Sequence, residues 1–149
     1  MTKLTPHNLP SKNNYSANTN TYFSFFEYAP IALVIEDFTE TKKFINSKIK
    51  KNNTTVAEYI KNNPKIVSKL ISLVTIENVN AKAVELYNAK NKKDLIENIS
   101  NVFTAKSGTE FRKLIIDILC GAKETEIESV NKTLDGKEFN VLIKFNPTF

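Results

Sequence analysis

Apolar residues along this chain gather into short runs, and the change of period from run to run marks out the elements. Residues 22–28 bring Phe23, Phe25, Phe26 and Tyr28 together, which suits a short helix or turn covering one end of a core. Pro30 closes that segment, and the unbroken apolar run 31–35 predicts a short buried strand. A helical period follows. Asp37 with Glu40 resembles a capping pair, and Phe38, Thr41, Phe44, Ile45 and Ile49 form a rough stripe that should end near Lys51. After a break at Asn52 and Asn53, Thr55 with Glu58 forms a capping box ahead of Val56, Tyr59 and Ile60. Asn63-Pro64 restarts the chain into a further helix with Ile66, Val67, Leu70, Ile71 and Val74 on one face. Three short helices are therefore expected between the first and second strands.

Residues 74–79 read as the second strand, and Asn80 is placed to cap a helix carrying Ala83, Val84, Leu86 and Tyr87. Asn91 with Asp94 opens another short helix bearing Leu95, Ile96 and Ile99. Ser107 with Glu110 is the best capping box of the sequence. It predicts the start of a longer helix in which Phe111, Leu114, Ile115, Ile118 and Leu119 keep helical spacing, with Gly121 as its left-handed stop. The ending reads as a hairpin. Residues 124–134 and 137–145 flank Asp135-Gly136, and Phe139, Val141, Ile143 and Phe145 alternate onto one face. This order predicts an α+β fold, an antiparallel sheet with helices on one face.

Composition narrows the class. Residues 1–21 are rich in Asn, Ser, Thr and Pro with almost no aliphatic side chains, so a disordered leader is expected, followed by one domain over 22–149. A chain of 149 residues buries enough surface to fold without disulfides or metals. Cys120 is the only cysteine, which excludes an intramolecular disulfide. No signal-peptide core or spanning apolar run is present, so a soluble, cytoplasmic protein without a membrane partner is expected. The net charge of +5 invites a nucleic-acid reading, but Arg112 is the only arginine among 21 basic residues and the lysines are dispersed. Base-edge recognition leans on arginine forks, and the lysines of 42–51 read as a solvated helix face. No nucleic-acid partner is expected.

Three motifs, taken in order, carry a family resemblance: Glu27-Tyr28-Ala29-Pro30-Ile31 before the first strand, Val79-Asn80 leading to Leu86-Tyr87, and Leu134-Asp135-Gly136-Lys137 at the hairpin turn. From about Phe23 onward the chain resembles the PAS sensory domain. It is most similar to the bacterial PAS sensors at the front of histidine kinases and diguanylate cyclases, where a step like Glu36-Asp37-Phe38 leads into a helical insert. The resemblance implies a five-stranded antiparallel sheet with helices across one face, a ligand cavity between them, and signalling by dimer rearrangement. In such a sheet the fifth strand sits centrally, between the first strand and the second arm of the hairpin. Here Pro147 closes the fourth strand and Phe149 ends the sequence. The resemblance thus implies a missing fifth strand, a C-terminally truncated domain, and a slot filled by a partner or a repositioned segment.

The side chains available for chemistry are few. His7 is the only histidine and lies in the expected leader, so an axial haem ligand is not expected. The cysteine motif of flavin photosensors is absent, and Cys120 beside Ile118 and Leu119 reads as a buried structural thiol. One His and one Cys leave no usual zinc set, and no serine, cysteine or threonine has a histidine base within the domain. Glu126 and Glu128 share a strand face that should point to solvent. No catalytic, cofactor or metal residues are therefore assigned. The PAS arrangement would place Leu33, Ile35, Phe103, Phe111, Ile115, Ile127, Val141 and Ile143 around a cavity, with Asn80, Asn131 and Arg112 as its polar candidates. Ordinary core packing produces the same spacing, Asn80 is accounted for as a cap, and Arg112 as an exposed helix residue. The expectation is a non-enzymatic sensory or interaction module of bacterial two-component signal transduction. It would bind a small ligand or form a homodimer, and relay to an effector such as a histidine kinase or diguanylate cyclase. The alternatives are a dimerisation scaffold with a filled core and a small α+β enzyme.

Overall fold

The computed structural model describes residues 12–147, with side chains from residue 20. His7 and the first part of the expected leader lie outside the described residues. The order of elements is α1 (Lys12–Glu27), β1 (Val34–Asp37), α2 (Thr39–Asn52), α3 (Val56–Asn62), α4 (Ile66–Ile71), β2 (Thr75–Val79), α5 (Ala81–Leu86), α6 (Lys92–Glu97), a 3-10 turn (Ile99–Val102), α7 (Ala105–Leu119), β3 (Thr125–Lys132) and β4 (Glu138–Phe145). The fold is α+β, with three helices between β1 and β2 as the sequence predicts.

The strands form two separate antiparallel pairs, β1 with β2 and β3 with β4, where one sheet was expected. Val34 faces Val79 and Asp37 faces Thr75, with an irregularity between Ile35 and Glu36. The hairpin register is unbroken from Thr125 opposite Phe145 to Lys132 opposite Glu138. Gly136 at its turn has φ +92°, a conformation that residues with a Cβ rarely adopt.

Two apolar clusters hold these parts together. One joins the helical insert to α7: Ile45, Ile60, Val67, Leu70, Leu114, Ile115 and Ile118 are buried there with Phe38. The other surrounds β2, α5 and α6 through Val79, Ala83, Tyr87, Leu95 and Val102. Complete burial of Leu70, Leu114 and Leu95 contributes about 2 kcal/mol each over leaving them in water. Backbone ties connect the clusters to the hairpin. Leu134 N–H donates to Tyr87 O at 2.9 Å, and Thr104 Oγ1 donates to Val130 O at 2.7 Å.

Several expectations need correction. Residues 12–21, expected as disordered leader, are helical. The last turn of that helix is anchored, because Asn80 Nδ2 donates to Phe26 O at 3.1 Å and Lys92 pairs with Glu27. From an anchored turn the helix extends backward at one hydrogen bond per residue fixed. The aromatics of 22–28 do not cover a core: Tyr22, Phe23, Phe25 and Tyr28 are all exposed, and Phe26 is half-buried.

The first strand begins at Val34 instead of Ile31. The Asn80 side chain takes up the N–H of Leu33 and the carbonyl of Ile31, so the ladder cannot start earlier. That strand is not buried, since Val34 and Ile35 are 39% and 41% exposed. The long helix starts at Ala105, two residues before the predicted cap. Thr104 Oγ1 accepts from Ser107 N–H at 3.2 Å and Ser107 Oγ accepts from Thr104 N–H at 2.7 Å, a reciprocal box in which Ser107 takes the place usually held by Glu or Gln. Cys120 is exposed, not buried; partial desolvation, with the nearby Asp117 carboxylate, pushes its thiol pKa up. The capping box at Thr55 and Glu58, the Asn80 and Asn91 caps and the Gly121 stop all form.

Candidate functional site

A cleft of about 1070 Å³ runs between β1 and β4. Its walls are residues 30–39 on one side and 141–147 on the other, and Tyr87, Ile99, Val102, Phe103, Phe111 and Asn131 also line it. The two walls run in the same direction. At one end the rings of Phe38 and Phe145, which follow β1 and end β4, meet edge to face at 5.7 Å. At the other, Ala32 before β1 and Phe139 near the start of β4 pack on the same apolar cluster.

The apolar lining follows from local patterning. Alternation in β4 turns Val141 and Ile143 inward, and the spacing of α7 brings Phe111 against Phe103 with ring centroids 5.1 Å apart. Against this lining stand two polar groups without full partners. Asn131 is 1% exposed. Its Nδ2 donates to the Tyr87 hydroxyl at 2.9 Å, while its Oδ1 is buried without a partner. Turning the amide over would only exchange which atom is orphaned. Glu36 is half-buried and its Oε2 is likewise buried and unpartnered. Burial raises the pKa of this carboxyl from its ordinary 4.5 to about 7. Desolvation also pushes the Tyr87 hydroxyl up, opposed by the Asn131 bond, so it stays neutral at physiological pH.

Three other charges around the cleft are engaged. Asp37 Oδ1 accepts from Thr39 N–H at 2.8 Å, Lys82 pairs with Glu85 at 2.8 Å, and Lys144 pairs with Glu126 at 2.8 Å. An unpaired buried carboxylate costs far more than a solvated one. The arrangement therefore favours a ligand that brings hydrogen-bond donors, or a cation, to Glu36 and Asn131.

Of the residues proposed from sequence, Leu33, Ile35, Phe103, Phe111, Asn131, Val141 and Ile143 line this cleft. Ile115 does not; it is fully buried in the cluster under the helical insert. Ile127 packs on that same cluster. Asn80 is also elsewhere, fully buried at the junction of α1, β1 and α5 with all its polar capacity used. Arg112 is tied to the insert through Ser68 Oγ at 2.9 Å and Pro64 O at 3.1 Å. Glu126 and Glu128 are exposed. The reading from sequence missed Glu36 and Tyr87.

Among the described residues, no three of His, Cys, Asp and Glu come together as a metal-binding group. No helix among them is long and apolar enough to cross a membrane. No protein-family model matches the chain, and no curated protein or solved structure matches it either.

Proposed function

We propose that this chain is a PAS-like sensory or interaction module, without catalysis of its own, that takes a ligand into the cleft between β1 and β4 and relays its presence to a partner. The observation that carries the reading is the pair of unpartnered buried oxygens, on Glu36 and Asn131, in one apolar cleft. Buried polar atoms are normally satisfied, and binding sites combine an apolar wall with a few convergent polar groups. The order strand, helical insert, strand, helices, hairpin supports the PAS likeness. So does the common direction of β1 and β4, which suits strands separated by one antiparallel neighbour. The relay would run through a homodimer or an effector such as a histidine kinase or diguanylate cyclase, in the cytoplasm.

The filled-core scaffold fits less well, because a cleft of about 1070 Å³ is the opposite of a filled core. Native mass spectrometry on protein purified without denaturation tests the reading, alongside the cleft-filling variant Val141→Trp. A retained adduct in the wild type that the variant loses is the expected result. If the wild type retains nothing, and no member of a metabolite and peptide panel shifts its melting temperature, the module does not bind in this cleft.

A further inference from the structure

The net charge of +5 is not spread evenly over the fold. Residues 39–73, the helical insert between β1 and β2, hold eight lysines and two carboxylates, a net charge of +6. The rest of the sequence holds thirteen basic and fourteen acidic residues, a net charge of −1. Both carboxylates of the insert are already used. Glu40 pairs with Lys43 at 2.8 Å, and Glu58 closes the capping box of α3 while accepting from Thr54 Oγ1 at 3.0 Å. Lys50, Lys51, Lys61, Lys65 and Lys69 are exposed, and none of them pairs with a carboxylate among the described residues. The helices turn these charges outward. Lys50 lies about 140° round α2 from Ile45, and Lys69 about 200° round α4 from Val67. Ile45 and Val67 are buried in one cluster with α7, so the lysines face away from it.

The chemistry of this face selects its partner. Among the described residues, the insert contributes none of the exposed large apolar side chains. A protein interface buries an apolar core from which lysine is depleted, and a membrane holds a basic patch stably only where an apolar anchor joins it. Neither finds its requirement here. Single-stranded nucleic acid is held largely by stacking its bases on aromatic rings, and the exposed rings Tyr22, Phe23, Phe25 and Tyr28 lie outside the insert. A duplex backbone needs none of these groups. It carries one negative charge about every 1.7 Å and is bound by cations that release its counterions. α2 alone has 14 residues and is about 21 Å long, a length of duplex that presents roughly twelve phosphates. Lysine suits that partner, because an ammonium on a flexible stem is a point charge that needs no fixed geometry. Scarcity of arginine argues against reading base edges and leaves backbone binding untouched. Arg112 is already held by Ser68 and Pro64.

We infer that the outer face of the helical insert binds the phosphate backbone of duplex nucleic acid without reading its sequence. This goes beyond the sensory reading and does not involve the cleft. It replaces the expectation of no nucleic-acid partner, which rested on base-edge recognition and on lysines that look dispersed along the sequence. Fluorescence anisotropy of a labelled duplex of roughly 30 base pairs, titrated with the full chain over a range of salt, tests it. Micromolar binding at about 50 mM salt is expected, equal for A+T-rich and G+C-rich duplexes, with a slope of about −4 in log affinity against log salt, the figure for four or five neutralised phosphates. The variant Lys50→Gln, Lys51→Gln, Lys65→Gln, Lys69→Gln should bind at least tenfold more weakly, with a slope of about −1. The control Lys90→Gln, Lys93→Gln, Lys123→Gln, Lys137→Gln loses the same charge elsewhere and should stay within about threefold of the wild type. All these positions are exposed, so both variants should keep the wild-type melting temperature. Equal losses in the two variants would assign the effect to net charge and overturn the proposal. So would no binding at low salt, a tenfold preference for one duplex sequence, or tighter binding to phosphatidylserine vesicles or to polyglutamate than to the duplex. Duplex binding with no adduct in native mass spectrometry would leave this inference standing and remove the sensory reading; the reverse result would do the opposite.

Discussion

Asn80 and Asn131 are buried to the same degree, 0% and 1% exposed, and their surroundings treat them in opposite ways. Around Asn80 every polar atom is used. Oδ1 accepts from the N–H groups of Leu33 and Ala83, each at 2.9 Å. Nδ2 donates to the carbonyls of Phe26 and Ile31 at 3.1 and 2.9 Å. One side chain thus fastens the end of α1, the entry to β1 and the start of α5. Asn131 has a single partner, the Tyr87 hydroxyl, and leaves its other polar atom facing nothing. A saturated amide locks a junction, while a half-used amide in a cleft costs stability that a hydrogen-bonding partner entering the cleft restores. The contrast separates a junction whose polar atoms are all used from a cleft whose polar atoms are not.

The largest test of this contrast is Asn80→Ala. It leaves the Leu33 N–H and the Ile31 carbonyl without partners at a junction that water reaches poorly, takes a second partner from Ala83 N–H and Phe26 O, and removes the side-chain cap of α5. A loss of about 4 kcal/mol is expected in urea unfolding. A loss below 1 kcal/mol for the alanine variant would mean that the junction is held by its apolar neighbours, and Asn80 would lose its place in the comparison.

Glu36 gives a smaller effect with a definite sign. Its folded pKa is raised by burial from 4.5 to about 7. Below pH 4.5 both states hold the proton and the group is neutral with respect to folding. Between 4.5 and 7 the unfolded chain releases the proton while the folded chain retains it, so stability falls as pH rises. The full shift corresponds to about 3 kcal/mol, and the partial exposure of Glu36 reduces that to about 2. Glu36→Gln should flatten this decline and make the protein more stable than the wild type at pH 8 by the same amount. Chemical unfolding at pH 5, 6, 7 and 8 reads it directly. A parallel decline in the variant would place the titration on another group.

Local chemistry was legible in the sequence and spatial assembly was not, and the division has a physical basis. The Thr55 and Glu58 box, the Asn80 and Asn91 caps, the Gly121 stop and the Asp135-Gly136 turn are decided by residues within four positions of one another. Alternation along 139–145 placed Val141 and Ile143 on the inner face for the same reason. What failed depended on distant partners. The start of β1 is set by Asn80, some 47 positions away from Leu33, and no local pattern announces that. Ile115 and Phe111 share one helix and one apolar stripe, but only Phe111 reaches the cleft, because the helical insert covers the other. The Ser107 box was misplaced because Thr104 uses a serine where the usual signal is a Glu or Gln.

The smallest expected effect discriminates most sharply between the two asparagines. Replacing Asn131 by Leu together with Tyr87→Phe removes the cleft's hydrogen bond and its orphaned atom in one step, and leaves no polar group newly stranded. Replacing both partners of a buried bond by apolar groups of similar shape is close to neutral. The cost of the orphan disappears, while tilted packing of the ring at position 87 on Phe139, now at 5.6 Å, is retained. The double variant should therefore unfold within about 1 kcal/mol of the wild type, against the large loss at Asn80, while any ligand that stabilises the wild type through the cleft should no longer shift its melting temperature. Tyr87→Phe alone should be worse than the pair, because it strands the whole amide of Asn131. If the double variant instead lost several kcal/mol, the Tyr87 and Asn131 bond would be a fastening of the same kind as Asn80, and the cleft would have no polar group set aside for a ligand except Glu36.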